Sequence, residues 1–208
     1  WFEGFGGLAH WQEFLKTFRA QFPRRPGRFL RFIAEAGDMV EPLLLQAGFK
    51  KRTGASYQTF WLDLTQHQDS LRKHLNVKWR NSFLRSIKHG VSVEWDEDGA
   101  SFAWLLKHYE IDKIQRRYPG PGVKLLRLLV QNYAAKKAVL VGRARYEGQD
   151  IAGIIILIHG TSATYQIGYT SPEGRTRKAH NLLLWGALGK LQSRGIRDFD
   201  LGGINEET

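Results

Sequence analysis

The stretch "YQIGYTSPEGRTRKAHNLLLWGALGKLQSRGIRDFDLGG", residues 165 to 203, decides the fold. It reads as the end of a strand, a short basic loop, a helix from about 179 to 195 closed by Gly195, and a last strand "IRDFDLGG", because β-prone alternation gives way to a helical run and then returns. Strand, helix and strand in succession predict a crossover between parallel neighbours. Arg175, Arg177, Lys178 and His180 stand in the few residues around the helix start. A helix start already carries partial positive charge and unpaired backbone N–H groups, so cations gathered there predict that an anion joins them. Gly174 lets backbone come close to a ligand, and the expected occupant is a phosphate group held among Ser171, Arg175, Arg177, Lys178, His180 and Asn181.

Upstream, "KAVLVGRARYEG", "QDIAGIIILIHG" and "TSATYQIGYT" (137 to 170) are three successive strands with turns at Gly148 and Gly160. Before them "ASFAWLLKHYEIDKIQRR" (100 to 117) and "VKLLRLLVQNYAAKK" (123 to 137) have helical spacing, separated by the breaker "YPGPG". "VSVEWDED" (91 to 98) alternates as a strand, and 65 to 90 is expected to be one long helix with Leu71, Leu75, Trp79, Phe83, Leu84 and Ile87 on its apolar side. The rest of that helix is basic, with Arg72, Lys73, Lys78, Arg80, Arg85 and Lys88 against the single acid Asp69. Like charges at these spacings repel, which predicts water or an anion beside them.

Nearer the start, "SYQTFWLDL" (56 to 64) is a strand and "DMVEPLLLQAG" (38 to 48) a short helix between Asp38 and Gly48. "RFLRFIAEA" (28 to 36) is a candidate strand, and Leu8, Trp11, Leu15, Phe18 and Phe22 mark one face of an opening helix. Helices early, an antiparallel meander, then one crossover predict an α/β fold with a mixed, largely antiparallel sheet flanked by helices. The basic stretch "KKRTGAS" marks a seam, dividing the chain into 1 to 55 and 56 to 208.

The bulk numbers narrow the function. Lys and Arg total 31 against 20 Asp and Glu, a net charge of +11 that predicts an anionic partner. The chain has no cysteine, which removes disulfide and thiol chemistry and fits a reducing compartment, the cytoplasm by default. Its longest apolar run, "IAGIIILI", is far shorter than a membrane span, although peripheral contact with a membrane surface stays open. A first residue Trp1 rather than Met predicts a piece of a longer protein. The sequence has no GxxxxGK[ST] loop, no GxGxxG after an opening strand, no HExxH and no GxSxG, and its seven His lack partners at ligand spacing. Neither a metal nor a resident cofactor is expected.

Taken together, "DLTQHQDSLRKHLNVKWRNSFLRSIKHGVSVE" and "GYTSPEGRTRKAHNLLLWGALGKLQSRGIRDFDLGGINEE" resemble the Fem family of peptidoglycan interpeptide-bridge aminoacyltransferases, which are built from GNAT-like acyltransferase domains. The likeness covers roughly residues 38 to 205 and is carried by the "KWRN…KHGVSV" and "GYTSPEGR…DFDLGGI" segments. It implies two GNAT-like domains, here a partial first (1 to 55) and a second (56 to 208). It also implies aminoacyl-tRNA as donor and a lipid-linked or nucleotide-linked peptidoglycan precursor as acceptor, with an amide formed without a metal. The basic aromatic "FK" segment that usually follows "DLGGI" in the family is missing here. Family likeness further places the "KWRN" helix near a cleft, which makes Arg80, with Lys78, the first choice for a phosphate contact.

Candidate catalytic groups follow from what aminoacyl transfer needs: a neutral attacking amine, donors for a developing oxyanion and a surface for phosphates. Asp198 and Asp200 flank Phe199 and point to one face of the last strand, where either could accept a proton or orient an ammonium. Asp200 could equally bond the turn at Gly202 and Gly203. Tyr165 and Tyr169, four residues apart, are expected to share a face, with Tyr169 the better candidate beside the loop. Arg117 and Tyr118 of "RRYPGPG" either line a cleft rim or belong to a stiff turn. Two other readings stand beside aminoacyl transfer. One is an acyl-CoA dependent N-acyltransferase, which the single glycine of "PEGRTRKAH" disfavours. The other is a bare RNA-binding module, which the burial expected for the aromatics disfavours.

Overall fold

A computed structural model describes residues 7–23, 25–27, 29–32, 40–54 and 58–203. The chain separates into two compact units, 1–58 and 59–208. In the first, helices α1 (Gly7–Ala20) and α2 (Val40–Gln46) bury Leu15, Leu43 and Ala47 among Trp11, Phe14, Phe32, Leu44 and Phe49. The predicted helix face of α1 holds at Leu15, while Phe22 is exposed, and the Leu8 side chain lies outside the described residues. Gly48 takes the left-handed conformation that ends a helix, and Arg19 donates to the Ala47 carbonyl at 2.7 Å to close the same end. Residues 29–32 join no strand; Arg28, residues 33–36 and the expected cap Asp38 lie outside the described residues.

The second unit is one six-stranded sheet. Its strands are β1 (Thr59–Asp63), β2 (Ser92–Asp96), β3 (Val139–Tyr146), β4 (Gln149–His159), β5 (Ser162–Thr170) and β6 (Asp198–Gly203), in the order β1-β6-β5-β4-β3-β2. Every pairing is antiparallel except β5 with β6, because only that pair is joined by a crossover, whereas Gly148 and Gly160, both with positive φ, make the tight hairpins on either side of β4. The crossover is α8 (Ala179–Gln192). Leu182, Leu183, Ala187, Leu188 and Leu191 of α8 are buried with Leu140, Ile154, Ile156 and Phe199 of the sheet. On the outside of α8, Trp185 stacks on Phe83, 4.8 Å between ring centres at 11°, so α8 is held from both sides and shows no one-sided apolar stripe.

Phe83 belongs to α4 (Val77–Lys88), which α3 (Gln68–His74) precedes. The single helix expected over 65 to 90 is therefore two. Leu75 is extended, and the Asn76 side chain accepts the Lys78 amide at 2.9 Å, an N-cap that starts a new helix inside an otherwise continuous apolar pattern. Ile87, expected on the buried side, is exposed. On the other face of the sheet, α5 (Phe102–Arg116) and α6 (Val123–Ala134) bury Phe102, Leu105, Leu106, Tyr109, Leu126 and Val130 against Val139, Val141, Ile155 and Leu157. Close approach requires glycine at Gly142, where a Cβ would stand 2.6 Å from the Trp95 ring and 3.1 Å from Leu183.

Candidate active site at the split between parallel strands

β5 and β6 pair over only three residues, Ser162 with Asp198, Ala163 with Phe199 and Thr164 with Asp200. β5 then continues to Thr170 and β6 to Gly203 without further pairing to each other, so the sheet opens between them. Main-chain groups along the facing edges have no ladder partner in each other beyond Thr164 and Asp200.

A bulge sets what lines each face. β4 residues Ile155 and Ile156 pair with Ile167 and Tyr165, which leaves Gln166 as the extra residue on β5. The alternation flips there. Tyr165 packs on the α8 side, whereas Ile167 and Tyr169 pack on the α5 side. The expectation that Tyr165 and Tyr169 share a face is thereby corrected: spacing of four keeps a face only in a regular strand.

On the α8 face, Tyr165 meets His180 edge to face at 5.8 Å, and its hydroxyl lies over Gly168, where a Cβ would also come within 3.0 Å of the His180 ring. Burial pushes the Tyr165 phenol up, with the Tyr118 phenol adding to the shift, and burial pushes His180 down to about 4. His180 is therefore a neutral imidazole at neutral pH; its Nδ1 lies 3.4 Å from the Thr170 hydroxyl. It belongs to the lining of the gap and contributes no charge to the basic turn.

The turn expected to be a loop is the short helix α7 (Pro172–Thr176). Ser171 caps it, accepting the Gly174 amide at 3.0 Å, and the Ser171 amide is tied to the Ile151 carbonyl at 2.9 Å. Gly174 is buried against that same carbonyl, with no room for a side chain. Arg175 donates to the Thr170 carbonyl at 2.6 Å. Arg177 stacks 3.4 Å above the Tyr146 ring, pairs with Glu173 and reaches the His89 carbonyl at 3.3 Å. Arg177 thereby ties the turn to β3 and the end of α4, while Arg175 bonds back to the end of β5. Lys178, left-handed at φ 58° and exposed, is the cation of the turn with no partner among the described residues. Asn181 sits in the first turn of α8, where its amide bonds the Lys178 carbonyl at 3.1 Å.

On the α5 face, Tyr169 packs 5.0 Å from His108 and 6.1 Å from Trp104. Asp198 and Asp200 do share a face, with Phe199 fully buried on the other. Asp200 accepts the Gly202 amide at 2.8 Å and the Thr59 hydroxyl, which itself lies 2.7 Å from the Gly202 carbonyl. One of its oxygens thus holds the bend that ends β6. Asp198 is half-buried with no side-chain partner among the described residues. His159, whose Nε2 is 2.8 Å from the Thr164 hydroxyl, is held below its ordinary value by burial, a shift partly offset by Asp200. Tyr118, pushed up to about 12 by burial and Asp112, packs on Tyr109 in the turn between α5 and α6. That turn is pinned by Tyr109 and Lys113 to the carbonyls of Pro121 and Gly120, and Arg117 is exposed at its start with φ 56°.

Arg80 lies elsewhere, in a shallow cleft of about 280 Å³ with Arg72, Lys73, Asp69 and Leu84. Arg72, Lys73 and Arg80 have no ion-pair or hydrogen-bond partner among the described side chains, while Lys78 points to solvent outside that cleft. The sequence placed all of these on one helix; the break at Asn76 is what folds α3 beside α4 and lets Arg72 and Lys73 join Arg80. Thr164, Gly168 and the neighbouring His159 carry no sequence signal of their own, because the bulge and the three-residue pairing bring them together.

The acetyltransferase (GNAT) domain family matches residues 69–207, and the chain belongs to it. This is a family of acyltransferases, and the open strand pair lies inside the matched region. Among solved structures, FemX is similar with a TM-score of 0.67 at 13% identity, over 83% of this chain and 61% of that one. L-PGS from Bacillus licheniformis gives 0.50 at 16%, over 81% and 51%. The C-terminal domain of a putative lysylphosphatidylglycerol synthetase from Agrobacterium fabrum gives 0.50 at 15%, over 70% and 46%. At these identities the likeness is one of fold, and the chain spans about 61% of the length of FemX. No curated protein matches the chain.

Proposed function

We propose that this chain carries out aminoacyl transfer of the Fem type, moving an aminoacyl group from aminoacyl-tRNA to an amine of a peptidoglycan precursor, with residues 56–208 as a second GNAT-like domain and 1–55 as the tail of a first. The observation that carries the reading is the β5/β6 split, where the parallel pairing ends at Thr164 and Asp200 beside the start of α8. Two substrates can meet where the strands part. The amine nitrogen attacks the ester carbonyl, the C–N bond forms, the ester C–O bond breaks, and the ribose hydroxyl leaves with a proton. Tyr165, whose hydroxyl has no partner among the described residues, donates to the developing oxyanion from the α8 face. Asp200, opposite Thr164 where the pairing ends, is the β6 carboxylate beside the gap, and its second oxygen takes the amine proton, whereas Asp198 lies two positions back opposite Ser162; Tyr169, Tyr118 and Arg117 receive the acceptor on the α5 face. Asp200 holds the strand end. Lys178 and the trio Arg72, Lys73 and Arg80 supply contacts for the phosphates of the donor, in keeping with the net charge of +11.

Transfer from acyl-CoA is the second reading, and the family's acetyltransferase description favours it. Against it, the amides of the α7 turn are already bonded, Gly174 to Ser171 Oγ, Arg175 to the Ser171 carbonyl, Arg177 to the Glu173 carbonyl and Lys178 to the Arg175 carbonyl, which leaves a pyrophosphate only the first amides of α8. Titration of tryptophan fluorescence with uncharged tRNA and with CoA separates the two. Aminoacyl transfer predicts tRNA binding that weakens at least about tenfold between roughly 50 and 200 mM salt, without saturable CoA binding. Saturable CoA binding together with salt-insensitive tRNA binding rejects it.

A further inference from the structure

The outer surface of the α5–α6 layer is apolar where a solvated helix pair should be polar. Ile111 (45% exposed), Ile114 (70%), Leu125 (52%) and Leu128 (49%) stand on the side of the two helices that faces away from the sheet, since their inner sides hold Leu105, Tyr109, Leu126 and Val130. Scattered exposed apolar residues are ordinary, but four long aliphatic side chains exposed on the outward sides of two neighbouring helices exceed that scatter and suit an interaction surface. Its border is basic. Lys107, Lys124 and Arg127 lie on the same exposed stripes with no acid paired to them, Arg117 stands at the end of α5, and Glu110 is the one unpaired acid there, Asp112 being bound to Arg116 at 2.8 Å.

Aliphatic residues ringed by cations match one kind of surface, the boundary of a bilayer that contains anionic lipid. The aliphatic groups enter among the acyl chains while the lysine and arginine stems extend toward the head groups, each cation adding attraction to the anionic surface. No helix among the described residues is long and apolar enough to cross a membrane, which leaves seating on the surface as the geometry of contact. A protein partner of the same size would meet four or more cations and needs matching acids; an anionic bilayer supplies that charge everywhere. We infer that the outer face of α5 and α6 docks on anionic lipid bilayers. This deepens the acceptor half of the proposed function, since the α5 face is where a lipid-linked acceptor would approach the gap, but the observations are independent of which acyl donor is used.

Flotation of the protein with vesicles of phosphatidylcholine alone, and of phosphatidylcholine with about 30% phosphatidylglycerol, tests it. Binding is expected to the anionic vesicles and to fall at least about tenfold on the neutral ones, and again at high salt. Ile114→Ser with Leu128→Ser, and separately Lys124→Glu with Arg127→Glu, should each weaken binding at least about tenfold while the melting temperature holds, because these side chains are exposed. Arg72→Glu with Lys73→Glu, on α3, should leave vesicle binding unchanged. The proposal is overturned if the α5–α6 variants bind as the parent does, if the α3 variant loses as much, or if the Ile114 and Leu128 substitutions instead dissolve a dimer seen by size exclusion. Vesicle binding needs no substrate, so its failure leaves the transfer reading standing and the reverse also holds.

Discussion

Tyr165 and His180 meet edge to face, 5.8 Å between ring centres, across the junction where β5 opens away from β6 and α8 begins. Both rings are polar groups in a place that disfavours their charged forms, so the gap is lined there by a neutral phenol and a neutral imidazole. A neutral phenol donates a hydrogen bond without adding net charge, which suits an oxyanion that appears only during reaction.

Replacing Tyr165 by Phe keeps the ring against His180 and removes the hydroxyl. We expect kcat for aminoacyl transfer to fall by about a hundredfold with KM and melting temperature little changed. Steady-state kinetics with charged tRNA and a soluble acceptor peptide provide the check; an unchanged kcat would reduce Tyr165 to packing.

Stability should depend on pH through His180. Its folded value of about 4 lies below the ordinary 6.5, so the unfolded chain binds more protons between those values. The stabilising contribution is whole above pH 6.5 and is lost as pH falls toward 4. The loss is on the order of 3 kcal/mol. Urea unfolding across this range should show that slope in the parent and a flatter one in His180→Gln.

How far the sequence carries this account depends on which contacts are local. The meander, both hairpin glycines and the strand-helix-strand ending are written in periods and turn residues that act within a few positions, so Gly148, Gly160 and Gly195 locate them correctly. Asn76 was legible as a cap, yet the apolar run through Leu71, Leu75 and Trp79 masked it. The bulge at Gln166 is different in kind. It arises from how β4 and β5 share hydrogen bonds, and nothing in "ATYQIGY" fixes it, so the faces of Tyr165 and Tyr169 could not be read in advance. Likewise the partners of Arg177, namely Tyr146 and His89, come from distant segments.

Arg177 and Lys178 are neighbours with opposite expected phenotypes. Arg177→Ala should cost about 1–2 kcal/mol of stability, most of it from the half-buried stack on Tyr146, since the exposed pair with Glu173 adds little. Lys178→Ala should leave unfolding unchanged and weaken tRNA binding, reducing the salt slope by about one unit. Denaturant unfolding and tRNA binding at several salt concentrations, run on both variants, give the comparison. Equal stability losses would make Lys178 a structural residue.

The cleft on α3 and α4 predicts a larger effect on binding. Arg72, Lys73 and Arg80 converge there with Asp69 as the sole acid, and gathering unpaired cations is tolerable chiefly when an anion sits between them. Arg80→Ala together with Arg72→Ala should lower tRNA affinity by about tenfold or more at moderate salt and raise the melting temperature slightly, since repulsion is relieved. Filter binding and calorimetry measure the two; unchanged affinity would make this cleft ordinary solvated surface.

The two carboxylates of β6 should separate by phenotype. Asp200 is buried, accepting the Gly202 amide at 2.8 Å and the Thr59 hydroxyl, whereas Asp198 has no side-chain partner among the described residues. Asp200→Asn keeps an oxygen for the Gly202 amide, so folding should hold, but it removes the carboxylate beside the gap and should lower kcat by about a hundredfold or more. Asp200→Ala leaves the Gly202 amide without its acceptor, while the Thr59 hydroxyl keeps the Gly202 carbonyl, and should cost about 1–2 kcal/mol. Asp198→Asn, at a residue opposite Ser162 and away from the gap, should leave both folding and kcat little changed. Thermal unfolding alongside kinetics on all three variants decides between the carboxylates. Were Asp198→Asn to abolish transfer while Asp200→Asn retained it, the proton acceptor would be Asp198, and the amine would have to react at the paired end of the two strands.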